Sequence, residues 1–361
     1  MPPKYANVHR ENIEPSPATL LKGSLMLLIA SLSLSLQNVV VRIIFNSQPL
    51  LGRIQIGGFI EPSVGNSLLI LSMRVGLVLF GIAWLVSPRL HPHLWRDLKR
   101  LSHPSNRALT KRILSSSGLL FLSQIAMYVA LGNISAGIAT TVFFVYPTAT
   151  ILLSWLILGD RPSPLLSLAA LTIYSGCVLV IPNTQGAIQG NPMLGVITAT
   201  IAGIAFSAYA ILTQICSQTH RLHPVSFTFV LFLSIFAFAL LSLGIIAWMP
   251  TLASTLPTLK VHIASEMWIY LWISAFILSI TSIVGFLLTN FGISAVGATY
   301  ASTIGATGPA LTTISAWFLI QEAIQSRYQL IGIFLVTLWV GAISTGKLSQ
   351  PVASDDAENS R

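Results

Sequence analysis

Arg74 stands eight positions into an apolar run that begins near residue 66, and neither that run nor any other carries Asp or Glu in its middle. A guanidinium keeps its charge and offers five N–H donors in a planar fork. At that depth it must be hydrated, snorkel to headgroups, or meet an anion. The chemistry it could do is attraction of a carboxylate or phosphate on a small solute. Snorkelling stays open, because eight helical residues span only about 12 Å. Gln124 and Tyr128 share one helix face at i,i+4 spacing, and Asn38, Tyr146, Tyr209 and Tyr300 lie in other apolar runs. Uncharged hydrogen-bonding groups with aromatic surfaces suit a zwitterionic or amphipathic metabolite, and each could equally tie helices together. Gln37 and Gln214 belong to the same polar set, whereas Arg42, near the end of its run, reads as interfacial.

Covalent chemistry finds little support. Ser and Thr abound in the runs, yet no buried His or acid is placed to activate them. No phosphate-binding loop, nucleotide fingerprint or zinc spacing is present, so no cofactor and no metal is expected. His91, His93 and His103 lie in one basic connection and His220 and His223 in the next, where they read as solvated side chains. Cys177 and Cys216 provide neither a disulfide framework nor a metal pattern. A membrane-embedded enzyme and a passive channel rank well below a carrier.

The elements that must position these residues follow from composition. Of 361 residues 54% are hydrophobic and only 8% charged, with mean hydropathy +0.79. About 25% charge is usual for a soluble domain, and a bilayer crossing takes about 20 apolar residues. The chain therefore reads as an all-α membrane protein with ten transmembrane helices, near 22–45, 66–87, 113–131, 134–158, 164–181, 193–215, 225–249, 266–290, 293–320 and 326–346. Tight turns are expected at Gly132-Asn133 and Phe291-Gly292. With both termini cytoplasmic, 14 of the 19 Lys and Arg fall on the inner side, seven of them in 88–112. That asymmetry fixes the orientation, explains the net charge of +9 and makes nucleic acid an improbable partner. Residues 1–21 and 347–361 read as cytoplasmic tails, the latter disordered.

The halves resemble each other. Pro147, Trp155 and Asp160 recur as Pro309, Trp317 and Glu322, with Trp eight and the acid thirteen positions after Pro in both. Five spans per half is an odd number, so the second copy is inverted, a 5+5 inverted-topology repeat with units 22–181 and 193–346 joined by linker 182–192. Two related conformations of similar energy are what alternating access requires. Pro147 and Pro309 are expected to break their spans in mid-membrane, and Gly297, Ala301, Gly305 and Pro309, four apart, to line one close-packing face.

Through these prolines, the small residues approaching them and the endings Gly159-Asp160 and Gln321-Glu322, the chain resembles the drug/metabolite transporter superfamily, specifically its EamA-type ten-helix members. The endings depart mildly from a Gly-Glu pattern. The resemblance implies a central cavity lined by spans 1, 3, 4, 6, 8 and 9, with spans 5 and 10 at the periphery or a homodimer contact. The expectation is a permease of a plasma membrane, bacterial in type. It would move a small organic metabolite by export or exchange, with multidrug-type efflux as the alternative. The lack of a mid-span carboxylate argues for a facilitator or exchanger over a carboxylate-based proton antiporter. The loop 46–65 has no assigned role.

Overall fold

The computed structural model describes residues 17–103, 106–158, 190–220, 222–249, 257–305 and 307–322, with 330, 331 and 334. Helix α1 runs Pro17–Phe45 and α2 runs Val64–Gly81, continuing through a π-turn at Ile82–Val86 into a last turn at Ser87–Leu90. A short α3, Leu94–Ser102, precedes α4, Arg107–Asn133. Then come α5, Ala136–Phe143; α6, Tyr146–Leu158; α7, Pro192–His220; and α8, Pro224–Trp248. The described part closes with α9, Trp268–Val296; α10, Ala298–Gly305; and α11, Gly308–Ile320. Among the described residues, seven helical segments are long and apolar enough to cross a membrane. The expected fifth span, all but residues 330, 331 and 334 of the tenth, linker 182–192 for the most part, residues 1–16 and tail 347–361 lie outside the described residues, while 17–21, expected in the N-terminal tail, already belong to α1.

Side chains such as Phe80, Trp84 and Trp248 are exposed on the outer surface, as lipid-facing positions are. Inside, α1 packs chiefly along α9, α4 along α7, and α2 against α8. Gly285 of α9 sits so close to α1 that a Cβ there would meet the Leu34 side chain at 2.7 Å. Missing side chains let backbones approach where lipid provides no hydrophobic drive for association.

Two expectations need correction. Phe291-Gly292 is not a turn, because α9 continues to Val296 and the chain breaks at Gly297, whose φ of +85° suits glycine. Gly297, Ala301, Gly305 and Pro309 therefore do not share one helix face: Gly297 caps α9, Gly305 ends α10 and Pro309 opens α11. Likewise α5 ends at Phe143 and α6 begins at Tyr146, so each break lies just before its proline, in the first turn where a missing N–H costs nothing. The loop 46–65 contains an antiparallel hairpin, β1 Gln48–Leu50 with β2 Ile54–Ile56, turned through Leu51 and Gly52, both at positive φ. It rests on the end of α11, where Leu51 N donates to Leu319 O at 2.8 Å. This end of the bundle is the hairpin face.

Candidate functional site

The breaks in α5–α6 and α10–α11 lie beside a cavity of about 960 Å³, its open mouth included. Its wall carries Ser31, Ser35 and Asn38 of α1, Gln124 and Tyr128 of α4, Tyr146 of α6 and Thr289 of α9. Its apolar surface includes Phe143, Phe144, Phe206 and Phe286 beside Leu34, Leu120 and Met127. Phe143, Tyr146 and Phe206 stack edge on one another with centroids 5.1–5.4 Å apart. Tyr146 Oη donates to Ser302 O at 3.2 Å, joining the two broken helices across the cavity. Gly305 leaves the space that this hydroxyl occupies. Among the described residues no Asp, Glu, Lys or Arg lines this space.

Of the residues singled out from sequence, Gln37, Asn38, Gln124, Tyr128 and Tyr146 line the cavity, as do Ala301 and Gly305. Tyr209 does not. It is buried between helices, where its hydroxyl donates to Asn290 Oδ1 at 2.5 Å, and Asn290 Nδ2 donates to Thr228 Oγ1 at 2.9 Å. This chain ties α7, α9 and α8 together. Tyr300 is half-buried near the other end of the bundle, its hydroxyl 3.3 Å from Ser24 Oγ. Arg74 is fully buried and neither snorkels nor lines the cavity. It lies directly behind the wall, where Nη2 donates to Gln124 Oε1 and the guanidinium carbon sits 5.5 Å from the Tyr128 ring centre.

Two polar contacts lie toward opposite ends of the bundle, each at the first amide of a helix leading into a break. On the hairpin face, Arg42 Nε pairs with Glu322 Oε1 at 3.1 Å and Arg42 Nη1 donates to Leu131 O at 2.9 Å. Glu322 Oε2 accepts from Ala136 N at 3.0 Å, the first amide of α5, whose partial positive end favours a carboxylate. Arg42 is thus buried, not interfacial. At the opposite face, Gln214 Oε1 accepts from Ala298 N at 2.9 Å, the first amide of α10. Ala136 and Ala298 each precede their proline by 11 residues (147 − 136 and 309 − 298), so the two contacts stand at the same distance from Pro147 and Pro309.

Sequence reasoning missed the Arg42–Glu322 pair and the four phenylalanines. The pair was within reach, since both residues stood at span ends expected on one face. The aromatic lining had no signal, because Phe is equally at home facing lipid.

Residues 193–345 match the EamA-like transporter family. Over 329 residues the chain is 34% identical to a protein of Synechocystis sp. named an uncharacterized transporter, covering 91% of this chain and 95% of that one. The chain belongs to the EamA-like transporter family. It is also 31% identical over 129 residues, 30% of its length and 36% of the other's, to a probable transport protein of Saccharomyces cerevisiae. A solved crystal structure covers 92% of this chain and 99% of its own at TM-score 0.54 and 17% identity, which speaks to fold alone. This EamA-like protein is a multi-pass membrane transporter of the drug/metabolite transporter superfamily, and its family implies a small-molecule solute.

Proposed function

We propose that this transporter carries a small organic metabolite, amino-acid-like or otherwise polar and amphipathic, by alternating access. The supporting observation is a cavity walled by both halves, with a polar contact at each of the two broken-helix N-termini toward opposite ends of the bundle. With these contacts as closures, opening one while the other holds would expose the cavity to one side at a time. The ten spans form an inverted 5+5 repeat with units 22–181 and 193–346, a reading supported by the exchange-symmetric pairing of α1 with α9 and α4 with α7. The hairpin face is external and both termini are cytoplasmic in a plasma membrane, as the Lys and Arg asymmetry favours. The aromatic wall, Phe143, Phe144, Phe206 and Phe286, supports the second reading, efflux of amphipathic compounds.

Counterflow in proteoliposomes tests the carrier. Vesicles loaded with unlabelled neutral amino acids, anionic metabolites, nucleosides or amphipathic cations are assayed for labelled uptake. Saturable uptake accelerated by internal solute of one class is the expected result. Flux that neither saturates nor responds to internal solute would overturn alternating access.

A further inference from the structure

We propose that Arg74, Gln124 and Tyr128 form an anion-binding corner of the cavity, and that the carried solute is a monoanionic carboxylic acid with an apolar or aromatic body. This deepens the carrier reading and rests on it for the word carried, not for the binding site itself.

The argument begins with unmet donors. Arg74 is fully buried, yet Nε and Nη1 have no hydrogen-bond partner, and Gln124 Nε2 and Tyr128 Oη have none either. These atoms belong to three residues already in contact, and two of those residues line the cavity. Buried polar groups in native proteins are almost always paired, and a buried charge without a partner is costlier still. Four unpaired polar atoms together, every one able to donate, describe the complement of an acceptor-rich anion.

The wiring gives the corner its polarity. Arg74 Nη2 donates to Gln124 Oε1, which takes up the amide's acceptor end and leaves the donor end, Nε2, for a ligand. Gln124 Nε2 and Tyr128 Oη are shielded from solvent, so a carboxylate at the wall would accept from them once their side chains turn toward it, while the guanidinium behind them supplies the opposite charge. Arg74 acts through these two side chains and is in that sense a positioning and charge-compensating residue.

Charge count selects a monoanion. No Asp, Glu, Lys, Arg or His lines the cavity among the described residues, which leaves Arg74 behind the wall as the charge next to it, and Arg42 is already paired with Glu322. One guanidinium neutralises one carboxylate, whereas a phosphate dianion would leave a net charge in the membrane interior. The remaining lining, with Phe143, Phe144, Phe206 and Phe286, fits an apolar body. A lipid headgroup fits poorly, because Arg74 is closed off from the lipid-facing surface.

The test uses the full chain in neutral detergent, with thermal melting as readout. Phenylacetate, indole-3-acetate and benzoate are each compared with the matching amide, alongside inorganic phosphate and phosphatidylglycerol. The acids should raise the melting temperature with at least about tenfold higher affinity than the amides, and R74Q should abolish that preference. Y128F and Q124L should each reduce it. Without solute, R74M should melt no lower than wild type, since it removes an unpaired buried charge. Equal protection by acid and amide, protection by no acid, or an acid preference surviving in R74Q would overturn the site. So would a lower melting temperature of solute-free R74M, which would mark Arg74 as structural. Protection by phosphate or phosphatidylglycerol alone would overturn the solute reading and assign the corner to those anions. Counterflow separates this from the carrier reading: exchange of neutral solutes only removes the anion site, and acid binding without exchange removes the carrier.

Discussion

Replacing Glu322 with Gln removes one charge from the hairpin-face closure while keeping its size. In the native chain the carboxylate accepts from Arg42 Nε at 3.1 Å and from Ala136 N at 3.0 Å. The two side chains are 7% and 12% exposed, so solvent screening discounts the pair little. Gln can satisfy one donor through its oxygen but presents an amide to the other, and it leaves the Arg42 charge without a counter-ion. Hydrogen bonds to charged groups contribute about 1.5–3 kcal/mol. A loss of about 2 kcal/mol confined to the closed state shifts the opening equilibrium about 30-fold, at tenfold per 1.4 kcal/mol. Asn38 lines the cavity and can report that shift. With Cys177 and Cys216 changed to Ser, N38C is labelled by a membrane-impermeant maleimide added at the hairpin face. E322Q should accelerate labelling about 30-fold, and R42Q/E322Q should label as fast while melting higher than E322Q, the orphan charge being gone. A folded E322Q protein labelled at the wild-type rate would refute the closure.

Other outcomes follow from the packing. At the opposite face Asp97 Oδ2 accepts from Ser226 at 2.6 Å and pairs with His91 Nε2 at 2.8 Å, and His91 stacks on His223 at 4.0 Å. Partial burial, with neighbouring His91, holds His223 below the ordinary imidazole value against the pull of Asp97. A base with a lowered folded value contributes stability above its unfolded value and loses it as pH falls through the window below that value. The melting temperature should therefore drop as pH falls below about 6.5, and H223Q should flatten that drop. A Cβ at Gly137 would stand 2.7 Å from Thr313 Oγ1. G137V should thus wedge α5 from α11 and cost about 1–3 kcal/mol, read as a lower melting temperature with slower exchange. N290A strands the Tyr209 hydroxyl and should destabilise by about 1–2 kcal/mol, whereas Y209F with Asn290 intact should cost less.

Much of the fold was legible because a bilayer is a severe selector. Runs of apolar residues had to be helices, so the seven described crossings fall where hydropathy placed them. Pro147 and Pro309 announced the breaks in advance. The turn after span 8 was misjudged because Gly292 looks as much like a breaker as Gly297, and only backbone geometry separates a glycine packed against Leu27 from one at φ +85°. The His connection was read as solvated because the stacking of His91 on His223 and the hydrogen bond from Ser226 to Asp97 depend on α3 meeting α8.

By itself the sequence determined the membrane class, the positions of the described crossings, the paired proline motifs and the family, all of which depend on composition and order along the chain. Tertiary structure decided which polar groups meet: Arg42 with Glu322, Tyr209 with Asn290, and Arg74 behind Gln124 and Tyr128. The physical reason is that lipid is as apolar as the protein interior. Without water on one side, helices carry little face-to-face hydrophobic contrast, so periodicity does not reveal which side of a span looks inward. That information enters only when the helices pack.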